Sequence, residues 1–459
     1  MALRRTAMVF GGALAIYLAF FGGHYVSGDN AERIAWAKAL IDCHCNNIAP
    51  YLARNLPGGQ ATAGMVYTKY GIGASILHAP LIMFARWIAR VSGISLEGPL
   101  NMLLYTFNGA LGVALLYLML VRQGVRDHSA AIGAIVIGVS SVWFAYSKVE
   151  YGEAIVATLV LAMYLLADDH PWLAGLLGGY AVAVRMDAIL WVALTGLIVP
   201  RNWKKSWLPI AMGTVPGLLL MAASNYTRSG SPLNSGYDLG FTNSLLVGLY
   251  GLLFSAGKSL FLFSPLMILY PAAARKLWRD PAHRRFVAWT IALFAAGLLL
   301  YARWWDWSGD DAWGPRFMVV ATMACLAVVA ASDYLDSRWF AALAIVGMLV
   351  ELPGVLIGPH QSLMLVHLRH PLKIDADTHE RSPISFSDMQ FDPRYSQVTA
   401  SWDLLWFKLS DGRLEASSSY LAAFEPRLHP DDLAIDILWL HPRPPREAVG
   451  PAPVAAPAH

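Results

Sequence analysis

The sequence predicts an all-α polytopic membrane protein with about eleven membrane-spanning helices. Of its 459 residues, 56% are hydrophobic and only 14% are charged, whereas soluble proteins carry about 25% charged residues. The apolar residues also fall in runs that are long enough to cross a bilayer. These observations exclude a cytosolic enzyme, a nucleic-acid-binding protein and a disordered chain.

The predicted spans begin at the N-terminus. Arg4 and Arg5 precede an apolar run from about Met8 to Tyr25, which is followed by no good cleavage site, so we expect an uncleaved helix with its basic end in the cytoplasm. The run 172–199 has Arg185 near its middle and is split into two short spans, because a lone charge at the bilayer centre is costly. The other predicted spans are residues 100–121, 130–147, 152–167, 207–224, 259–274, 286–303, 316–332 and 339–357.

One further apolar segment, 71–90, decides the topology. If it lies along the outer membrane surface, eleven basic residues in later loops face the cytoplasm, as the positive-inside rule requires, and only Arg86 and Arg90 face outward. If it spans, the eleven face outward instead. We therefore predict a membrane-lying segment, a cytoplasmic N-terminus and an outer C-terminus. The eleven residues are Arg122, Arg126, Arg201, Lys204, Lys205, Arg275, Lys276, Arg279, Arg284, Arg285 and Arg338.

This topology divides the chain into three regions. Residues 1–358 form a transmembrane domain, whose long first outer loop, 27–99, holds the membrane-lying segment. Residues 359–440 form a small outer region. Residues 441–459 are rich in proline and alanine and are predicted to be disordered.

The three cysteines point to no shared site. Cys325 lies in an apolar run and is expected in the core. Cys43 and Cys45 flank His44, but a metal site needs further ligands, and a bond between residues two apart would be strained. We therefore favour an ordinary surface loop over a metal site, and we expect no disulfide framework.

Polar residues collect in the first predicted outer loop. Asp29 follows the first span, where partial desolvation would raise its carboxyl pKa and suit it to general-base chemistry; the alternative is a helix N-cap. Lys69 follows Tyr67 at the headgroup boundary. Its ammonium suits a lipid phosphate, and the alternative is an interfacial anchor.

Charged residues also occur inside the predicted spans. Glu153 begins an apolar span, so we expect it to face a cavity or a partner rather than lipid. Arg185 meets the same constraint, and it either faces that cavity or pairs with Asp187.

Two later outer segments are more specific. Residues 251–261 include Gly257 and Lys258 but lack the Walker spacing, which excludes an ATP site of that type. Residues 304–316 combine tryptophans with carboxylates and an arginine. This composition suits a phosphosugar, because rings stack on its C–H face, carboxylates accept from its hydroxyls and arginine binds phosphate. The candidate residues are Asp310, Asp311, Trp313 and Arg316.

The order of these motifs resembles that of the C-type (GT-C) membrane glycosyltransferases, in the group of protein mannosyltransferase and aminoarabinose transferase relatives. The resemblance covers about residues 1–330 and includes the long first outer loop. One departure is that Asn30 and Glu32 follow Asp29, where the family often has a second acidic residue close by. The motifs are Gly28-Asp29, Lys69-Tyr-Gly-Ile-Gly73, Tyr151-Gly-Glu153, Arg185 between two short spans, Asn225-Tyr-x-Arg-x-Gly-Ser-Pro232, Gly251-Leu-Leu-Phe-Ser-x-Gly-Lys-x-Leu-Phe261 and Trp313-Gly-Pro-Arg316.

The resemblance implies a glycosyltransferase of the bacterial inner membrane. It would move a sugar from a polyprenyl-phosphate donor to a hydroxyl or similar acceptor, on a lipid, glycan or protein, at the periplasmic side. Asp29 would be the catalytic base. No cofactor is required and no nucleic acid is a partner; a divalent metal stays an alternative that the motifs do not indicate. The phosphate would be held by Lys69, Arg185, Lys258 and Arg316, and the sugar or acceptor by Tyr67, Glu153, Asp310, Asp311 and Trp313.

Two other functions stay open at this point. A transporter or flippase for a lipid-linked sugar should show inverted repeats and charges near the membrane midplane. A non-catalytic envelope-assembly protein would tolerate Asp29→Asn.

Overall fold

The computed structural model describes residues 2–25, 27–52, 65–234, 236, 240–309, 312–358, 362, 373–374, 381–382, 390–410 and 435–440. The described chain is dominated by helices, as the sequence predicts. Two short strands, Lys373–Ile374 (β1) and Arg381–Ser382 (β2), pair antiparallel. The predicted disordered segment 441–459 and most of the predicted outer region 359–440 lie outside the described residues.

The helices are named here in chain order. They are α1 (Ala2–Ala19), α2 (Gly28–Asp42), α3 (Ala49–Leu52), α4 (Ile72–Ser92), α5 (Glu97–Arg122), α6 (Asp127–Ser140), α7 (Trp143–Tyr146), α8 (Gly152–Leu166), α9 (Pro171–Val184), α10 (Ala188–Ile198), α11 (Trp203–Ser229), α12 (Leu245–Phe254), α13 (Leu260–Phe263), α14 (Tyr270–Trp278), α15 (Arg284–Arg303), α16 (Val319–Ala330), α17 (Arg338–Leu356) and α18 (Gln397–Ser410). Short 3₁₀ turns occupy Pro265–Leu269, Arg316–Met318, Asp333–Asp336, Pro393–Tyr395 and Leu438–Leu440.

The helices have the lengths and compositions expected of a polytopic membrane protein. Among the described residues, five helices are long and apolar enough to cross a membrane, namely α4, α5, α11, α15 and α17. Shorter apolar helices accompany them. The predicted split of residues 172–199 is confirmed, because α9 ends at Val184 and α10 begins at Ala188. The total of eleven spans stays a prediction.

Close helix packing fixes the position of the turn after α9. Gly175 and Gly179 of α9 meet Gly213 and Gly217 of α11 so closely that a Cβ on Gly217 would lie 2.0 Å from the backbone of Gly179. Small residues at a spacing of four allow this approach in membrane helices. The end of α9 is thereby held in place, and with it the Arg185 turn.

Helix α4 packs against α9 at its start and against α2 farther along. Its start lies against the end of α9, since a Cβ on Gly71 would be 2.4 Å from the Ala183 carbonyl oxygen. Farther along, Arg86 pairs with Asp42 at the end of α2, at 2.5 Å. The next helix, α5, begins there as well, with Glu97 paired to a lysine of α2 at 2.5 Å. Helix α4 is long and apolar enough to span a membrane, and the membrane-lying position of segment 71–90 stays a prediction.

The structure corrects the expectation for the paired cysteines. Cys43 and Cys45 form a disulfide, with a Cα–Cα distance of 5.2 Å, which lies within the usual range. Cys43 ends α2, and His44 adopts φ 53°, a left-handed conformation that brings the two side chains together. Cys325 is buried, as predicted. In the described part of the chain, no three His, Cys, Asp or Glu side chains are grouped to hold a metal ion.

Candidate functional site

The centre of the site is Asp29 in the first turn of α2. One carboxylate oxygen, Oδ1, accepts a hydrogen bond from the Tyr70 hydroxyl at 2.5 Å. The other, Oδ2, lies 3.3 Å from Arg316 Nη1 and 3.8 Å from Arg33 Nη2. The Arg33 side chain is 1% exposed and that of Arg316 is 9% exposed. Asp29 is therefore held by two shielded guanidinium groups and one phenol.

Local sequence explains why Asp29 is available for this role. The N-cap of α2 is Ser27, whose hydroxyl accepts from the Asn30 backbone N–H at 3.3 Å. Ser27 in turn donates its own N–H to Glu150 Oε1 at 2.7 Å. The capping role that the sequence left open for Asp29 thus belongs to Ser27, and the Asp29 carboxylate turns toward the arginines.

The charge environment of Asp29 differs from the sequence-based expectation. Burial alone would raise the carboxyl pKa, but Arg316, Arg33 and the Tyr70 hydrogen bond together outweigh burial. The net result is a pKa below the ordinary value. The expectation of a raised pKa was wrong because desolvation was considered without its cationic partners. Asp29 is consequently ionised at neutral pH.

A second group of charged residues, formed by Arg185, Glu153 and Asp187, adjoins Asp29 and its partners. Arg185 Nη1 donates to Glu153 Oε1 at 2.7 Å. The same guanidinium forms two bonds to Asp187, at 3.0 and 3.1 Å. Arg316 Nε lies 3.6 Å from Glu153 Oε1, so Arg316 contacts both groups of charged residues. Both roles considered for Arg185 are therefore present at once: it pairs with Asp187 and it faces the site.

Aromatic rings support the guanidinium groups. The Arg316 guanidinium carbon lies 5.1 Å from the Tyr151 ring centre and 4.8 Å from that of Phe317. Arg33 lies 4.5 Å from the Tyr70 ring centre. A cation over a ring face is attracted by the ring quadrupole. The rings therefore stabilise the positive charge of both guanidinium groups.

The segment around Lys69 forms the exposed edge of the site. Lys69 Nζ lies 5.5 Å from the Tyr70 ring centre, and the Lys69 side chain is exposed. The Thr68 hydroxyl donates to Glu32 Oε2 at 2.7 Å. The Tyr67 hydroxyl donates to the Met65 sulfur at 3.2 Å, on the outer part of the same segment. Lys69 is thus next to the Asp29 cluster, and Tyr67 is farther out.

Two predicted site residues support the segment before Arg316. Lys258 is fully buried and its ammonium donates to the Ala312 carbonyl. The Trp313 indole is 1% exposed and donates to Glu351 Oε2 at 2.9 Å. The structure therefore places both side chains in the packing that leads to Arg316. Asp310 and Asp311 lie outside the described residues.

Four residues of the site were not among the predicted ones. Arg33 follows Asp29 by four positions and so shares its helix face, a signal that the sequence contains. Tyr70 is adjacent to Lys69, and Asp187 is close to Arg185. Arg228 donates to the carbonyls of Thr68 and Tyr70, the latter at 3.1 Å. It belongs to the Asn-Tyr-x-Arg motif, to which no role had been assigned.

The fold of the chain, rather than its sequence, is similar to that of known proteins. No protein-family model and no curated protein sequence matches the chain. The structure of ArnT from Cupriavidus metallidurans in the apo state is similar, with a TM-score of 0.50 and 12% identity, over 91% of this chain and 73% of that one. ArnT bound to undecaprenyl phosphate gives a TM-score of 0.49 and 14% identity over the same shares.

An oligosaccharyltransferase from Archaeoglobus fulgidus, in complex with Zn and sulfate, is also similar. The TM-score is 0.45 and the identity 13%, over 90% of this chain and 57% of that one. At such identities, a likeness concerns the fold alone. The prediction of a GT-C-like fold is confirmed by the apo structure of ArnT, and the chain has the fold of that aminoarabinose transferase.

Proposed function

We propose that the protein is a membrane glycosyltransferase that moves a sugar from a polyprenyl-phosphate donor to an acceptor hydroxyl. The observation that carries the proposal is the Asp29 carboxylate, held between Arg316 and Arg33 beside the Arg185–Glu153 pair. A carboxylate next to shielded arginines provides both a base and a phosphate-binding surface. ArnT, whose fold the chain shares, has been crystallised with undecaprenyl phosphate.

Asp29 acts as the base in this proposal. The acceptor oxygen attacks the anomeric carbon and gives its proton to the Asp29 carboxylate, while the bond from that carbon to the phosphate oxygen breaks. A phosphate that pairs with Arg316 withdraws part of the positive charge from Asp29, which raises the pKa of Asp29 in the loaded enzyme. Donor binding thereby makes Asp29 a stronger base at the moment when one is needed.

The leaving phosphate is stabilised by the cations of the cluster. Arg316 and Arg185 present guanidinium donors, which bind phosphate oxygens in pairs. The exposed Lys69 adds a point charge at the edge. Negative charge on the phosphate grows as its bond to the sugar breaks, so preorganised cations lower the barrier.

Glu153 is the proposed ligand of a sugar hydroxyl. Its Oε1 accepts from Arg185, while its Oε2 is buried without a hydrogen-bond partner among the described residues. A buried acceptor of this kind is unfavourable unless a donor reaches it. A hydroxyl of the bound sugar would supply that donor. Asp310 and Asp311 stay predicted sugar ligands, and Lys258 and Trp313 act by supporting Arg316.

The site is proposed to face the periplasm of a bacterial inner membrane. The Cys43–Cys45 disulfide lies at the end of the helix that carries Asp29, and disulfides persist in oxidising compartments such as the periplasm. The eleven basic loop residues belong to the opposite, cytoplasmic side in the predicted topology. A charged cluster at one end of the bundle, rather than at its middle, favours the enzyme over a transporter or flippase.

Comparison of glycans tests this function. Lipid-linked and envelope glycans are profiled in cells that lack the gene and in cells that carry wild type, Asp29→Asn or Asp42→Asn. Asp42 is a matched control, because it ends the same helix and pairs with Arg86 at 2.5 Å. We expect one glycan to lack a sugar in the deletion and Asp29→Asn strains only. Full complementation by Asp29→Asn would support a non-catalytic assembly protein instead.

A further inference from the structure

A polar cavity lies at the end of the bundle opposite Asp29. Its volume is about 580 Å³, and it is lined by residues from the end of α5, the turn after α8 and the start of α11. Helix α5 connects the two ends: Tyr105 contacts Asn30, next to Asp29, at 3.2 Å, and Arg122 lines the cavity. Arg122 follows Tyr105 by seventeen positions, which correspond to about 25 Å of helix. The cavity is therefore separate from the proposed active site.

Exposed tryptophans place this cavity at the level of lipid headgroups. Trp172 follows the cavity residue Asp169 by three positions and is 53% exposed. Trp207 directly follows the cavity residue Ser206 and is 46% exposed. Exposed indoles of membrane helices concentrate at the membrane–water interface. The predicted topology makes this the cytoplasmic interface.

One carboxylate in the cavity wall, that of Asp168, already has hydrogen-bond and ion-pair partners. Asp168 accepts from Arg122 Nη2 at 2.8 Å and from the Arg201 backbone N–H at 2.6 Å. The Arg201 Nε atom also lies 3.6 Å from Oδ2 of the same Asp168 carboxylate. These contacts join the ends of α5, α8 and α10 and give the cavity a fixed wall.

Two charges of opposite sign in the cavity are not matched in this way. In the described part of the chain, neither Lys205 nor Asp169 forms an ion pair, yet both line the cavity. The first turn of α11, which holds Lys205, contains no acidic residue. The cavity therefore offers an ammonium for an anionic group and a carboxylate for a cationic group.

We propose that this cavity binds the headgroup of a zwitterionic phospholipid of the phosphatidylethanolamine type. Its phosphodiester would face Lys205 and Arg201, and its primary ammonium would face Asp169. Phosphatidylglycerol has no cation for Asp169, and the quaternary ammonium of phosphatidylcholine has no N–H to donate. The cavity volume falls in the range of about 300–1,000 Å³ that is typical of small-ligand sites.

Native mass spectrometry of the delipidated full-length protein in detergent tests the proposal. The protein is titrated with phosphatidylethanolamine, phosphatidylglycerol and phosphatidylcholine of identical acyl chains, and with glycerophosphoethanolamine and inorganic phosphate. We expect saturable binding of one phosphatidylethanolamine, at least about fivefold tighter than either other lipid. Lys205→Gln and Asp169→Asn should each weaken it about fivefold, the effect of one charge near a headgroup.

Lys204→Gln is the matched control, because Lys204 is adjacent, exposed and outside the cavity lining. It removes the same charge and should leave the affinity unchanged. Equal affinity for phosphatidylglycerol, unchanged binding by Lys205→Gln, or an equal loss in Lys204→Gln would overturn the proposal. Tight binding of glycerophosphoethanolamine or phosphate alone would show a soluble ligand and would overturn it as well. The melting temperatures of all variants exclude misfolding as the cause of a loss.

Discussion

Replacement of Tyr70 by phenylalanine separates the ionisation of Asp29 from the packing around it. The Tyr70 hydroxyl donates to Asp29 Oδ1 at 2.5 Å, while its ring lies 4.5 Å from the Arg33 guanidinium carbon. Phenylalanine keeps the ring and its contact with Arg33. The hydrogen bond from the hydroxyl to the carboxylate is lost.

The expected effect follows from the strength of that bond. A hydrogen bond to a charged group contributes about 1.5–3 kcal/mol, which changes the ionisation equilibrium of Asp29 by a factor of about 10 to 100. The bond stabilises the ionised form, so its loss raises the pKa of Asp29. Since the reaction needs the carboxylate, activity falls as the pH drops through this pKa. The acid limb of the rate profile should therefore move upward by about one to two pH units.

The measurement is kcat/KM for sugar transfer by purified protein from acidic to neutral pH. Wild type should keep its activity through the ordinary range of carboxyl pKa values, because Arg316 and Arg33 hold the pKa of Asp29 below that range. Tyr67→Phe is the matched control, since the Tyr67 hydroxyl donates to the Met65 sulfur. An acid limb that is identical in wild type and Tyr70→Phe, with equal melting temperatures, would refute this account of Asp29.

Three further outcomes are expected. Arg316→Ala should weaken binding of polyprenyl phosphate about tenfold or more, since a hydrogen bond to a charged group contributes about 1.5–3 kcal/mol; unchanged affinity in a binding titration would limit Arg316 to pairing with Asp29. Lys258→Met should lower the melting temperature and kcat together, because the Ala312 carbonyl loses its donor; loss of donor affinity with unchanged stability would show direct phosphate binding. Reporter fusions should indicate the cytoplasm at three loop positions and the periplasm in the 359–459 tail, and a cytoplasmic tail would contradict the topology. The three positions are Arg126, Lys205 and Arg285.

The fold was largely predictable because membrane helices correspond to long apolar runs in the sequence. The break at Arg185 was also predictable, since a charge at the membrane centre needs either a partner or a boundary. The membrane-lying position of α4, which the distribution of basic residues favours, stays a prediction, since α4 is also long enough to span. These features depend on local composition and on rules that apply along the whole chain.

The electrostatics of the site could not be read in the same way. Arg316 lies 287 residues after Asp29, and no local pattern shows that the two meet. Without Arg316, burial appeared to raise the pKa of Asp29, which is opposite to the direction found. Trp313 illustrates the same limit, because its motif indicated a sugar-binding ring while its indole is packed in the core against Glu351.

The Cys43–Cys45 disulfide was not predicted, because it depends on the backbone conformation of the residue between the two cysteines. In this chain the residue between the two cysteines, His44, adopts a left-handed conformation at φ 53°, which accompanies the disulfide. Histidine is among the residues that adopt this conformation more often than most. The helix end at Cys43 was a local signal, but the conformation of His44 depends on the turn that follows.

The most direct test of the central claim is sugar transfer by purified Asp29→Asn protein from a polyprenyl-phosphate sugar donor. Asparagine is nearly isosteric and keeps hydrogen-bond acceptance from Tyr70, but it cannot take a proton from an acceptor hydroxyl. The account predicts a variant that still folds, with turnover lower by about 10²–10⁴-fold and a lower melting temperature, because Arg316 and Arg33 lose a carboxylate partner. A stable Asp29→Asn variant with full activity would contradict the account and would remove Asp29 from the mechanism.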